Sequence, residues 1–580
     1  MRRYIVGFLA TIGALVFLIV LGGLGVWIWS ATHRTRIADN TVVSIDLSTA
    51  PQDGPRERGL TRLLFTASPS LADVLGTIEK AGDDPHISGL LLRIGDSNIG
   101  VAEIQELRDA IAAFRAKGKR AVAYADTFGE LGSGTRSYYL AAACNEIWLQ
   151  PMGMVGLVGL GVEMPYLRGT LDLLGVTPDF VHREEFKNAA NMATETGMTA
   201  PEREEMTALL NSLYGQIQSG IAANRKIAPD EVKSIVDRAP LLTDEALKSR
   251  LVDHVGGRDE AASSFGPTAK FVGLSTYLDT VGPPHRQGPT IALIYASGLI
   301  SRGGSDDNPL TGAAGSGADD LTRAFRLATE DKSVRAILFR INSPGGSAVA
   351  AETIWAAVHR AHEAGKPVIV SMGDVAGSGG YYIAAPADKI VAEPATLTGS
   401  IGVVAGKLVF GGVLKKVGAT WGSITVGANA GMFSLFDEFS DSQRVRLDAV
   451  IDDIYAGFKR RVAEGRKLDA EAVEAAAKGR VWSGEDARGK GLVDQLGGMK
   501  TALDLAKATA GIPADQDVDL KPYPPPRRGF IAAVSRLIGG GGVDALMPQG
   551  SLAFLRGTLQ GLALLLAPPG SLTMSPVAPR

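Results

Sequence analysis

Residues 138–159 read YYLAAACNEIWLQPMGMVGLVG, and residues 381–402 read YYIAAPADKIVAEPATLTGSIG. Eight of the 22 aligned positions are identical, and most of the others are conservative. The likeness continues on both sides. Upstream, GLLLRI from Gly89 answers AILFRI from Ala336, and each is followed by a helical stretch that ends in Gly-Lys, at Gly118-Lys119 and Gly365-Lys366. Downstream, LVDHVGG from Leu251 answers LVDQLGG from Leu492. The matches keep an offset of 241 to 247 residues, a register that chance does not hold over such a span. The chain therefore reads as a tandem duplication, with a first repeat over 38–280 and a second over 288–515. The linker VGPPHRQGP (281–289) separates them.

Each repeat alternates short β-rich runs with amphipathic helical stretches. In the second, 290–295, 336–341, 368–371 and 389–391 read as strands, with a helix over 350–364. Strands apolar on both faces and separated by helices predict an α/β layered fold. The 580 residues are 45% hydrophobic and 21% charged, which is globular composition. Lysine plus arginine (59) against aspartate plus glutamate (62) leaves a net charge of -3 and no basic field for nucleic acid. The single cysteine, Cys144, excludes an intrachain disulfide and any cysteine-built metal centre. The reading calls for no cofactor and no metal ion. Chemistry falls to hydroxyls, amines, carboxylates and backbone groups.

The two ends differ from the body. No residue from 4 to 30 is charged, and that run is long enough to cross a bilayer as a helix. Arg2 and Arg3 precede it, Arg34 and Arg36 follow it, and Trp27 and Trp29 stand near its end. A cleaved signal peptide has a shorter apolar core and a small-residue exit, so an uncleaved transmembrane anchor over 4–30 is expected. Arginines at both flanks code its orientation weakly. Beyond Pro522, YPPPRR opens a Pro/Gly-rich apolar tail over 522–580. Its runs 530–538 and 552–566 read either as amphipathic helices against a membrane or partner, or as a loose end.

The second repeat carries Asn342-Ser-Pro-Gly-Gly-Ser347 directly after a strand. Strand, Pro-Gly-Gly, then helix aims open backbone N–H groups at one point, as an oxyanion or phosphate cradle does. A plain glycine turn reads the same, and no Gly-Lys-Ser/Thr follows to make it a phosphate loop. About thirty residues on, MGDVAGSGGYY (372–382) sets Ser378 between Gly377 and Gly379-Gly380 where a strand turns into a helix. That pattern exposes a hydroxyl, as in a nucleophile elbow, or makes a close-packed turn. The first repeat has Thr135, Arg136 and Ser137 there, and Asn98-Ile99 in place of Gly345-Gly346. The fold does not demand these groups.

A serine nucleophile needs a base. No histidine follows Ser378; the last is His362, which with His359 reads as solvated or structural. Chain order therefore disfavours a Ser-His-Asp hydrolase. An unprotonated lysine remains, its pKa brought from near 10.4 towards ~7–8 by burial at a cost of roughly 4 kcal/mol.

SPGG, GSGGYYIA and TLTGSIG, in a duplicated chain with an N-terminal apolar run, resemble the signal peptide peptidase A family in its long, two-repeat form. The resemblance covers nearly the whole chain apart from the tail. It implies tandem Clp-protease/crotonase-like domains behind an N-terminal transmembrane helix. It also implies a membrane-anchored serine endopeptidase that degrades apolar signal-peptide remnants and other peptides through an acyl-enzyme. The body would face the periplasm from the bacterial inner membrane, as a homo-oligomer, by family resemblance a tetramer. Carried onto this sequence, Ser378 is the nucleophile, and the base is Lys187 in FVHREEFKNAA (180–190) of the first repeat. Ser400 would orient the lysine amine, and the N–H groups of Gly346 and Gly379 would hold the oxyanion. The aligned positions hold Ala430 for Lys187 and Leu157 for Ser400, so each repeat carries half of the dyad. Gly377 and Phe186 stand where the family commonly has alanine and tyrosine, and neither change removes a needed group. A peptide would lie extended beside the glycine loop as an added strand. A crotonase-like acyl-CoA enzyme shares the loop but needs no Ser/Lys pair. An inactive membrane scaffold fits poorly with SPGG, Ser378 and Lys187 all intact.

Overall fold

In the strand Thr290–Ser297, alternate residues face opposite ways, yet both sets are apolar. Ala292, Ile294 and Ala296 pack into one core, while Ile291 and Leu293 pack into another beneath the helix Met499–Thr509. The neighbouring strand Val334–Ser343 repeats the division, with Ile337, Phe339 and Ile341 on one face and Ala336 and Leu338 on the other. A sheet covered on both faces is the physical reason for such unbroken apolar runs.

The computed structural model describes residues 36–54, 69–305, 315–525 and 571–573. The apolar run 4–30 and the tail runs 530–538 and 552–566 lie outside the described residues. Among those described, no helix is long and apolar enough to cross a membrane.

The fold is α/β, and the duplication is complete at the level of topology. The first sheet runs, edge to edge, His254–Val255, Glu146–Leu149, Arg120–Ala125, Ile87–Ile94, Thr41–Leu47 and Lys270–Gly273, all parallel. The second contains the same path: Gln495–Leu496, Lys389–Ala392, Val368–Gly377, Val334–Ser343, Thr290–Ser297 and Asp519–Pro522. A branch from it pairs Val375, Ala376 and Gly377 with Leu397–Gly399, which pairs in turn with Val481–Ser483. The last strand, Asp519–Pro522, belongs to the second sheet as Lys270–Gly273 belongs to the first, so that sheet extends past residue 515. The helix expected over 350–364 spans Ala348–Glu363, N-capped by the Ser347 hydroxyl.

The two repeats interlock. Strand Thr177–His182 of the first pairs antiparallel with Val404–Val409 of the second over six residues, forming a separate two-stranded ribbon. Ala395, Leu397 and Val481 of the second repeat lie in the first repeat's core. Arg340, 1% exposed, reaches from the second sheet to carboxylates of the first repeat, with Nε 2.8 Å from Asp53 and Nη1 2.5 Å from Glu106. Asp374 accepts the N–H groups of Ala102 and Glu103, so a carboxylate of one repeat caps a helix of the other.

Removing one partner of a buried ion pair leaves the other charge uncompensated. Arg340→Ala should lower stability by about 3–5 kcal/mol, read as an earlier first transition in urea. An unchanged transition would mean that the repeats do not depend on this contact.

Candidate active site

Ser378 stands between the strand Val368–Gly377 and the helix Gly379–Ala384, at φ 53° and ψ −116°. A non-glycine residue there costs on the order of 1–3 kcal/mol and persists only when its surroundings over-determine it. Ser378 N–H donates to Gly399 O at 2.8 Å, and its carbonyl accepts Tyr382 N–H at 2.9 Å. The helix that follows is anchored by Tyr381, whose hydroxyl donates to Leu492 O. The elbow pattern in the sequence suggests an exposed hydroxyl; the structure instead buries Ser378 completely, because a side chain of the other repeat lies over it.

That side chain is Lys187. The ribbon strand Thr177–His182 delivers it, and backbone bonds then sew the following loop to the second repeat. Arg183 N–H donates to Val403 O, and Phe186 N–H to Lys478 O. Gly479, at φ 77°, lets the two backbones meet: a Cβ there would lie 2.6 Å from Lys187 N. Lys187 is 1% exposed, and its Nζ lies 3.0 Å from Ser378 Oγ, 3.0 Å from Ser400 Oγ and 3.2 Å from Ser400 O. Three acceptors match the three donors of an ammonium. In the neutral amine, two donors can stay on Ser400 while the lone pair accepts the Ser378 hydroxyl proton. Burial brings the Lys187 pKa down to about 7, opposed by the Glu205 carboxylate. The amine is thus neutral in a large fraction of molecules near pH 7.

Beside this pair, Gly345–Ser347 forms a short strand. Gly346 has φ 155°, and a Cβ on it would lie 2.1 Å from Ile300 O, so the loop closes only with glycine. Ser343 Oγ donates to Gly298 O and accepts Gly345 N–H, steadying the turn. A Cβ built on Gly379 would stand 3.1 Å from Gly346 N, so the two glycines lie side by side next to Ser378. The chain's own segment Ser571–Thr573 pairs antiparallel with Gly345–Ser347.

The corresponding place in the first repeat holds none of this. Thr135 Oγ1 donates to Gly159 O at 2.8 Å, and Arg136 reaches Ile99 O and Asn98. Ala430, at the lysine position of the second repeat, is exposed. His359 stacks on Trp355 and His362 pairs with Asp388, and both are about half exposed. All five residues expected from the sequence, Ser378, Lys187, Ser400, Gly346 and Gly379, therefore converge at one place.

Two neighbours were not anticipated. The carbonyl of Ser400, as well as its hydroxyl, accepts from Lys187. Glu205, fully buried on the helix Ala200–Arg225, accepts from Asn188 Nδ2 at 2.7 Å and from Val481 N–H at 2.5 Å. Burial lifts its pKa to about 7. A signal for it exists in the duplication, since the matched helix Asp441–Arg466 carries Arg446 at the same position.

The family model "Peptidase family S49" matches residues 113–270 and again 360–513, once in each repeat. The chain is 32% identical to "Protease 4" of Salmonella typhi over 522 residues, which cover 85% of this chain and 82% of that protein. It is 30% identical to "Serine protease SPPA, chloroplastic" of Arabidopsis thaliana over 473 residues, covering 79% of this chain and 68% of that one. Among solved structures, a point mutant of ClpP1 from Listeria monocytogenes aligns with 36% of this chain and 94% of its own, at 16% identity and a TM-score of 0.23. That score adds nothing to the layering described above. With a match in each repeat and relatives collinear over most of its length, this chain belongs to peptidase family S49.

Proposed function

We propose that the chain is a membrane-anchored serine endopeptidase that degrades residual signal peptides through a dyad split between its two repeats. The observation that carries this reading is the buried 3.0 Å approach of Lys187 Nζ to Ser378 Oγ across the repeat boundary. The relatives named Protease 4 and Serine protease SPPA support the peptidase activity, and one of Enterococcus faecium named "Putative signal peptide peptidase SppA" supports the substrate class.

In this reading each repeat is a Clp-protease/crotonase-like unit, the first over 38–280 and the second over 288–515 together with the edge strand Asp519–Pro522 that completes its sheet. Neutral Lys187 takes the Ser378 proton as Oγ attacks the scissile carbonyl. The N–H groups of Gly346 and Gly379 receive the charge that develops on the carbonyl oxygen. Lys187 then protonates the leaving amine, and water hydrolyses the acyl-enzyme with the same amine as base. Ser400 keeps the amine's other donors occupied, so that its lone pair faces Ser378. The strand formed by Ser571–Thr573 on Gly345–Ser347 supports an extended, antiparallel bound peptide.

The membrane anchor rests on the apolar run 4–30, and the inner-membrane, periplasm-facing placement rests on the family resemblance. A homo-oligomer is supported by large apolar side chains left in solvent, among them Leu173, Val417, Ile424, Val426 and Phe433.

Four outcomes are expected. Ser378→Ala abolishes cleavage of a synthetic signal peptide, and Lys187→Ala lowers it by about 10²–10⁴-fold, while Thr135→Ala leaves it unchanged. Equal losses at Ser378 and Thr135 would reverse the assignment of the repeats. The rate rises with pH through about 7, because only the deprotonated amine can act as base and the folded protein holds that pKa down; a profile rising only near pH 10 would mean that the base keeps an ordinary lysine pKa and that burial does not activate Lys187. Gly479→Ala displaces the Lys187 backbone and costs activity by about 10²-fold, with far less effect on peptide binding. Protease added to spheroplasts digests residues beyond about 37, an accessibility limited to inverted vesicles if the orientation is opposite.

A further inference from the structure

Glu205 takes no part in the steps above, yet it is completely buried and both oxygens of its carboxylate are occupied. One oxygen accepts from the side chain of Asn188, the residue that follows Lys187. The other accepts the backbone N–H of Val481 in the second repeat. Val481 follows Arg480, whose carbonyl accepts the N–H of Ser400 at 2.7 Å. A single carboxylate therefore ties the loop that carries the amine to the strand that fixes the backbone of Ser400. Ser400 supplies two of the amine's three acceptors.

A buried carboxylate is costly, so its presence calls for a reason. The helix does not require one. Its counterpart Asp441–Arg466 has the same 26-residue length and the same kind of capping box, but puts an exposed arginine, Arg446, at the matching position. The buried acid occurs in the repeat that has the lysine and is absent from the repeat that lacks it. The charged groups acting on Glu205 are Lys187 and Arg480. Arg480 also pairs with Glu204 at 2.7 Å, and Lys478 with Glu185 at 3.6 Å, both towards solvent.

We infer that Glu205 is a positioning residue: its two hydrogen bonds hold Lys187 and Ser400 in register across the repeat boundary, and its charge, when the carboxyl is ionised, acts on the amine. This rests on the reading of Lys187 as the base. The charge favours the ammonium and so opposes the burial that lowers its proton affinity. Glu205 keeps the amine from becoming too weak a base, while its hydrogen bonds keep the amine in line.

The test uses the full chain, with peptide cleavage and the rate of Ser378 labelling by a fluorophosphonate measured across pH. Glu205→Gln removes the charge but can keep both hydrogen bonds once the Asn188 amide turns its oxygen inward. Glu205→Ala removes charge and bonds together. In the alanine variant, kcat should fall about 10–100-fold with KM within about twofold of the parent. The glutamine variant should recover most of that loss, and the acid limb of its kcat/KM profile and of its labelling rate should move down by roughly 0.5–1 pH unit. An unmoved limb in Glu205→Gln, or parental kcat in Glu205→Ala, overturns the inference. If the alanine variant does not fold, the glutamine profile decides alone, since a purely structural role leaves the limb in place. Lys187→Ala separates the two levels: full labelling of Ser378 in that variant refutes the base assignment itself, whereas its loss beside an unmoved glutamine profile refutes only the role of Glu205.

Discussion

An ammonium group withdrawn from water is the constraint around which this molecule is arranged. Bringing Lys187 from the ordinary lysine range to about 7 corresponds to about 5 kcal/mol of unfavourable burial, which the rest of the fold must offset. The ribbon between Thr177–His182 and Val404–Val409 holds the lysine loop against the other repeat. Gly479 removes the side chain that would stand in its way. Ser400 supplies acceptors, so that what is lost in hydration is partly replaced by fixed dipoles. Arg340 and Asp374, farther off, keep the two repeats from separating and re-exposing the amine.

The same constraint accounts for the asymmetry between two otherwise equivalent sheets. With identical strand order, either repeat has the framework for an elbow and a glycine loop. One keeps them; the other fills the space with Ile99, Arg136 and an internally bonded Thr135. The strained backbone at Ser378 is likewise kept on one side only, where its hydrogen bonds to Gly399 and Tyr382 hold it in place.

Much of this was legible in the sequence. The duplication, the α/β layering and the strand starts at 290, 368 and 389 follow from periodicity and register, which are local properties, while the strand read from 336 begins two residues earlier, at Val334. The glycine pattern around Ser378 marked its turn, though not its burial, because the covering side chain comes from 191 residues away. On its residues alone, Lys187 sits among Arg183, Glu184 and Glu185 and reads as a surface lysine; only the family resemblance singled it out. Its burial depends on an antiparallel pairing between distant strands, which no local pattern encodes. Glu205 was missed for the same reason, since a carboxylate on a long charged helix looks solvated until the strand it bonds is placed beside it. The edge strand Asp519–Pro522, with only four residues and a proline, gives too short a signal to mark where the second repeat ends.

The order of the parts along the chain also sets when the site can exist. A ribosome delivers the lysine loop first, then the strand Val404–Val409 that receives it, and Gly479 and Val481 last. Until those last contacts emerge, the amine has no dry seat and remains an ordinary hydrated cation. The growing chain therefore carries a serine without a base until those later segments have joined the lysine loop.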